Sequence, residues 1–162
     1  MGRISSYSDT SFASPSFAGT IKRALDAASA VSRSTGGPSL ERGLLVDLGI
    51  RGILEQPRGE SAGLAFALLF LSEARSAWSR NALHLHPGSA AIGRVEGGGL
   101  VREVAEGSLA VKLRRIWESG VRRLYVPEVQ LALCREHFAR LRAEYGSAVP
   151  EPAPNVETAM QL

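Results

Sequence analysis

The chain holds one cysteine, Cys134. That excludes an internal disulfide and any metal site built on cysteine pairs. Aromatic residues supply only 6 % of the 162 positions, so the core has to be aliphatic. The basic clusters interleaved with aromatics that mark nucleic-acid binders are also missing, although the formal charge is +3. No apolar run approaches the length of a membrane span, and no charged-then-apolar leader opens the sequence. Met1-Gly2-Arg3-Ile4-Ser5-Ser6 fits the loose myristoylation pattern, but nothing else points to a lipid surface. The expectation is a cytoplasmic protein that needs neither a membrane nor nucleic acid.

Lysine is nearly absent as well. Only Lys22 and Lys112 are lysines among 19 basic residues; every other one is arginine. Arginine cannot lose its proton in a protein, whereas a desolvated lysine can. Both lysines are therefore candidates for chemistry, and Lys22 falls off the apolar face of its helix, as a solvated residue would.

The length suits one domain with a real core. Residues 1–18 are rich in Ser, Gly and Pro without periodicity and read as a flexible lead-in. A helix is expected from Thr20 as N-cap, with Ile21, Ala24, Leu25, Ala28 and Val31 on one face and Gly36-Gly37 at its end. Leu44 to Ile50 alternates like a strand. A helix from about Ser61 to Trp78 is apolar on every side in its first half, which places it centrally. Ala82 to His86 reads as a short strand. His84 and His86 would share a face there, but no third ligand follows at a metal-binding spacing, so neither a metal nor a cofactor is expected. Pro87 to Gly99 is turn-rich, with Gly97-Gly98-Gly99 as a hairpin tip, and Leu100 to Val104 is the returning strand. A second helix carries Leu109, Leu113, Ile116 and Trp117 as its stripe, with Lys112 at the border and Gly120 as its stop. A strand follows from Val121 to Val126, then a last helix from Glu128 to Tyr145, with Cys134 on its apolar face. Residues 147–162, punctuated by Pro150, Pro152 and Pro154, read as a disordered tail. The domain is thus 19–146, of α+β class, with short strands in small sheets packed against about four helices.

Two stretches carry candidate chemistry. In Gly59-Glu60-Ser61-Ala62-Gly63, a serine among small residues stands at the mouth of a buried helix, whose free N–H groups could face a developing oxyanion. The plain alternative is that Ser61 caps the helix. In Gly107-Ser108-Leu109-Ala110-Val111-Lys112-Leu113, the scarce lysine borders an apolar wall that would lower its pKa. The pattern Gly59-x-Ser61-x-Gly63 also fits the nucleophile elbow of an α/β-hydrolase, with His137 as the late histidine. That motif needs a strand just before the serine, and Glu55-Gln56-Pro57-Arg58 is a poor one.

Taken together, these two stretches resemble the proteolytic domain of Lon proteases. There a Pro-Ser-Ala-Gly or Asp-Ser-Ala-Ser run opens a buried helix, and a Gly-Gly-Leu-x-x-Lys-Leu run carries the lysine. The resemblance continues through Glu118-Ser119-Gly120-Val121 to Val126-Pro127, and the order of elements fits from about residue 20 to 145. It implies a Lon-like fold and a serine endopeptidase in which Ser61 is the nucleophile and Lys112 its general base. Gly59, Glu60 and Ala62 would shape the loop or the oxyanion site. The implied partners are a protein or peptide substrate, further copies of the chain in a homo-oligomer, and a separate ATPase or regulatory chain, because no Gly-Lys-Ser/Thr phosphate loop is present here. Two positions depart from the pattern. Ser108 replaces the second glycine of the lysine motif, and Ile92-Gly93 stands where the family has a Thr-Gly step. A catalytically silent Lon-fold binding or assembly module is the alternative, since a fold does not guarantee its chemistry.

Overall fold

The computed structural model describes residues 15–37, 40, 59–78, 85, 88–145 and 149–152. The expected strand at 44–50, the loop at 51–58, and His84 and His86 lie outside them. Within them the chain is mixed α+β, with four α-helices and two small sheets.

Helix α1 spans Pro15–Ser34 and begins earlier than its sequence pattern suggests. Proline is favoured in the first turn of a helix because its φ is already helical and its missing N–H is not needed there. Thr20 is therefore not a cap. It lies within the helix, its hydroxyl donating to the Ser16 carbonyl at 2.9 Å. The apolar stripe starts a turn sooner, at Phe17, which is buried and meets Phe66 edge-on with ring centroids 5.5 Å apart. The helix closes in a Schellman motif, in which Gly37 N–H donates to the Ser32 carbonyl and Gly36 N–H to the Arg33 carbonyl.

Helix α2, Gly63–Trp78, buries Leu64, Ala67, Leu68, Leu71 and Ala74. It is not enclosed on every side, because Leu69 remains 41 % exposed. Its main partner is α1, and together they form one apolar cluster with Val95, Val101 and Tyr125. Alanine at 24, 27, 28, 67 and 74 lets the two helices approach closely despite the shortage of aromatics.

The stretch after Pro87 contains more structure than its turn-rich sequence suggests. Strand β1 is Ser89–Ala91, and Arg94–Val95 (β2) pairs antiparallel with Val101–Arg102 (β3). The expected three-glycine tip joins the last two, with Gly99 N–H donating to the Glu96 carbonyl at 2.9 Å. Helix α3 is Glu106–Glu118, strand β4 is Arg123–Val126, and a 3₁₀ turn at Glu128–Gln130 leads into α4, Leu131–Tyr145. Leu109 and Leu113 of α3 pack with Val104, Leu124, Val126, Cys134 and Phe138 in a second cluster. Burial pushes the Cys134 thiol up to about 11, so this residue is core, as its place on the helix stripe implies.

The stretch after residue 146 is not wholly a tail. Val149–Pro152 forms β5, parallel to β4, in a sheet of order β1-β4-β5. Proline normally disqualifies a strand because it cannot donate to the ladder. Here Pro150 and Pro152 alternate with Glu151, and alternate residues of a parallel strand turn their backbone groups to opposite edges. Both missing donors can therefore lie on the outer edge, where they cost no ladder bond and block further pairing.

Strand alternation also explains how the two clusters are divided. Ala91 and Tyr125 belong with the α1–α2 side, while Ala90, Ile92, Leu124 and Val126 belong with the α3–α4 side. The β1–β4 pair is the partition between two apolar layers. Any site at the end of β1 is reached from both.

Candidate active site

An open cleft of about 290 Å³ lies at the carboxyl end of β1. Ser61 and Ala62 line it from the loop before α2, Ala91 and Ile92 from β1 and its continuation, and Val111, Lys112, Arg115 and Ile116 from α3. The sequence motifs of Ser61 and Lys112 thus meet at one opening, although they sit on opposite apolar layers.

The serine loop is held by its backbone. Gly93 N–H donates to the Ser61 carbonyl at 2.9 Å, and Leu64 N–H donates to the Gly93 carbonyl at 3.0 Å. This reciprocal pair requires close approach. A Cβ at Gly93 would stand 2.9 Å from Val101 Cγ1, and one at Gly63 would stand 3.1 Å from Val95 N. Gly59, at φ +86°, supplies the left-handed turn that starts the loop. The Ser61 hydroxyl has no hydrogen-bond partner among the described residues, so it does not cap α2. The Ala62 and Ala65 N–H groups likewise find no backbone acceptor among those residues.

Glu60 has a clear role away from the cleft. Its carboxylate pairs with Arg23 of α1 and, at 2.8 Å, with Arg94 of β2. It ties the serine loop to two elements and does not line the opening. Exposed or half-exposed ion pairs contribute roughly 0.2–1 kcal/mol each. Glu60→Gln is therefore expected to lower the melting temperature only slightly. A thermal melt showing a large drop would instead mean that the carboxylate holds more than these two pairs.

Lys112 is half-buried, and its Nζ donates to Ser108 Oγ at 3.0 Å. Ser61 and Lys112 are not hydrogen-bonded to each other here. Burial alone lowers the Lys112 pKa from the ordinary lysine value. Arg114 and Arg115 add no visible pressure. Both are strongly exposed, with Arg114 bonded to Glu118 at 3.1 Å and Arg115 reaching the same carboxylate at 3.8 Å. Arg115 nevertheless stands at the rim of the cleft beside Val111, which is 64 % exposed.

Gln130 makes a buried contact that the sequence did not signal. Its buried side chain accepts from Val104 N–H at 3.0 Å and donates to the Val104 carbonyl at 2.8 Å. This clamp fixes the chain two residues before α3 and hence the helix that carries Lys112. A lone glutamine at the start of an amphipathic helix gives no sequence signal of such a bond. His137 lies on α4 against Phe138 and does not reach the cleft lining. Among the described residues no group of three His, Cys, Asp or Glu side chains could hold a metal, and no helix is long and apolar enough to cross a membrane. No protein-family model and no curated protein matches the chain.

Proposed function

We propose that the cleft is the active site of a Lon-like Ser–Lys endopeptidase. The observation that carries this reading is the convergence of Ser61, its hydroxyl uncommitted, and Lys112, its amine partly desolvated, on a single opening. A serine hydroxyl needs a neighbouring base to become a competent nucleophile, and a lysine is such a base only when its pKa falls toward the working pH. In the proposed reaction Ser61 Oγ attacks the peptide carbonyl as its proton passes to Lys112 Nζ. The C–N bond then breaks, Lys112 protonates the leaving amine, and an ester remains on Ser61. Water, losing its proton to Lys112, then attacks that ester; the bond to Ser61 Oγ breaks and Lys112 returns the proton to that oxygen. Free N–H groups at the loop, Ala62 foremost, would hold the oxyanion. Ala91, Ile92, Val111 and Ile116 make the walls apolar, which suits an unfolded protein or peptide substrate. The same reading includes assembly into a homo-oligomer and, for folded substrates, unfolding by a separate ATPase chain.

A peptide boronate with an apolar first residue tests this directly. It is expected to block cleavage of an unfolded protein and to give a tetrahedral boron signal by NMR with wild type but not with Ser61→Ala. An absent adduct together with absent cleavage would reject the reading.

Two observations favour a second reading, a silent Lon-fold binding module. Buried Ile92 lines the cleft where the family carries threonine, and the lysine amine is bonded to Ser108 instead of Ser61. That module would bind unfolded protein and release it intact.

A further inference from the structure

Ser108 is joined to Lys112 by an arrangement that leaves it one role. A serine hydroxyl has a single proton. At Ser108 that proton goes to the Ala105 carbonyl, 3.0 Å away. Toward Lys112, also at 3.0 Å, the oxygen can therefore only accept. The two residues are one helical turn apart on α3, where side chains at i and i+4 face each other. Among the residues that line the cleft there is no carboxylate: the α2 loop offers Ser61 and Ala62, β1 and its continuation offer Ala91 and Ile92, and α3 adds Arg115. Glu60, the nearest acid in sequence to Ser61, is occupied by Arg23 and Arg94. Among the described residues the Lys112 amine thus has no ionic partner to hold it.

We propose that Ser108 positions Lys112 for catalysis, its oxygen fixing one N–H of the amine so that the nitrogen's free valence can turn toward Ser61. The assignment rests on the peptidase reading. A free lysine side chain has much rotamer freedom to lose, and a tether from its own helix removes part of that cost before substrate arrives. An oxygen that only accepts also stabilises the ammonium more than the neutral amine. Removing it should impair the geometry and, at the same time, make the amine easier to deprotonate.

Ser108→Ala is expected to lower kcat roughly tenfold, the usual worth of one such hydrogen bond, with KM unchanged. The acid limb of its pH–rate profile should move to lower pH, and Ser108→Thr should restore both. A hydroxyl that merely steadied the first turn of α3 would lower thermal stability without moving that limb. The lysine count permits a second readout independent of turnover. Trace acylation across a pH series, read by mass spectrometry, reports Lys112 against exposed Lys22 as internal reference. The Lys112 midpoint should fall in Ser108→Ala, while that of Lys22 stays put. An unmoved midpoint, or turnover that rises in Ser108→Ala, overturns the proposal. Wild-type protein that cleaves nothing would reject the peptidase reading instead, and the acylation midpoint would still report whether the tether acts on the amine.

Discussion

Replacing Lys112 with arginine is expected to remove the proposed peptide cleavage while the protein stays folded. Arginine keeps the positive charge and much of the length, so every electrostatic role of the lysine other than proton transfer survives in part. It cannot take a proton from Ser61 in water-accessible pH ranges. General-base assistance is worth roughly 10²–10⁴ in rate, and that is the loss expected in kcat for Lys112→Arg and for Ser61→Ala. The two act as one unit, so the double variant should be hardly worse than either single one. The pH dependence has a definite sign. The proposed cleavage needs the neutral amine, so activity should rise with pH through a midpoint below the ordinary lysine value, in line with the lowered pKa of Lys112. Stability follows the same direction. Below that midpoint the native state bears the cost of a partly desolvated ammonium, which fades as pH rises toward the unfolded lysine pKa. Lys112→Met removes that cost, so at neutral pH it should be inactive yet melt no lower than wild type. Steady-state assays on an unfolded protein and thermal melts decide the matter. If Lys112→Arg cleaves as fast as wild type, the amine is not the base and the mechanism fails.

Some of this architecture was open to inspection in the sequence because local signals agreed with the tertiary outcome. The stripe of Leu109, Leu113, Ile116 and Trp117 gave α3 and its stop at Gly120, and that same pattern placed Lys112 at the edge of an apolar wall. The Gly59–Gly63 run marked the entry to α2, although the helix expected from about Ser61 starts at Gly63. Elsewhere composition misled. Ser and Gly after Pro15 look like a linker, yet Phe17 has a pocket against Phe66 to fill. Alternating prolines look like a tail, yet their spacing suits the outer strand of a parallel sheet. Strands of two or three residues, such as β1 and β2, are too short to show a period and exist only because β4 and β3 pair with them. The Lys112–Ser108 bond and the Gln130–Val104 clamp depend on geometry that no spacing encodes.

Phe138→Ala is expected to cost more stability than any other single truncation in the α3–α4 layer. Phe138 is 1 % exposed, is among the largest fully buried side chains, and lies under Trp117 with ring centroids 5.9 Å apart. Phenylalanine-to-alanine changes in cores cost about 3–5 kcal/mol, combining lost transfer energy with the cavity left behind. The low aromatic content of this chain makes compensation harder, since the neighbours Leu109, Leu113 and Cys134 are too small to fill the hole. The consequence should extend to the site. Helix α3 is seated on this cluster, whereas Ser61 is carried by α2 on the other face of the β1–β4 partition. Loosening one layer should therefore shift Lys112 relative to Ser61 before the protein unfolds, so kcat should drop at temperatures where circular dichroism still reports a folded chain. Val31→Ala, in the α1–α2 layer that carries Ser61, should give the same early loss at a smaller cost in melting temperature. If both variants lose activity only in step with unfolding, the cleft is carried by one rigid body and the two layers do not act separately on the dyad.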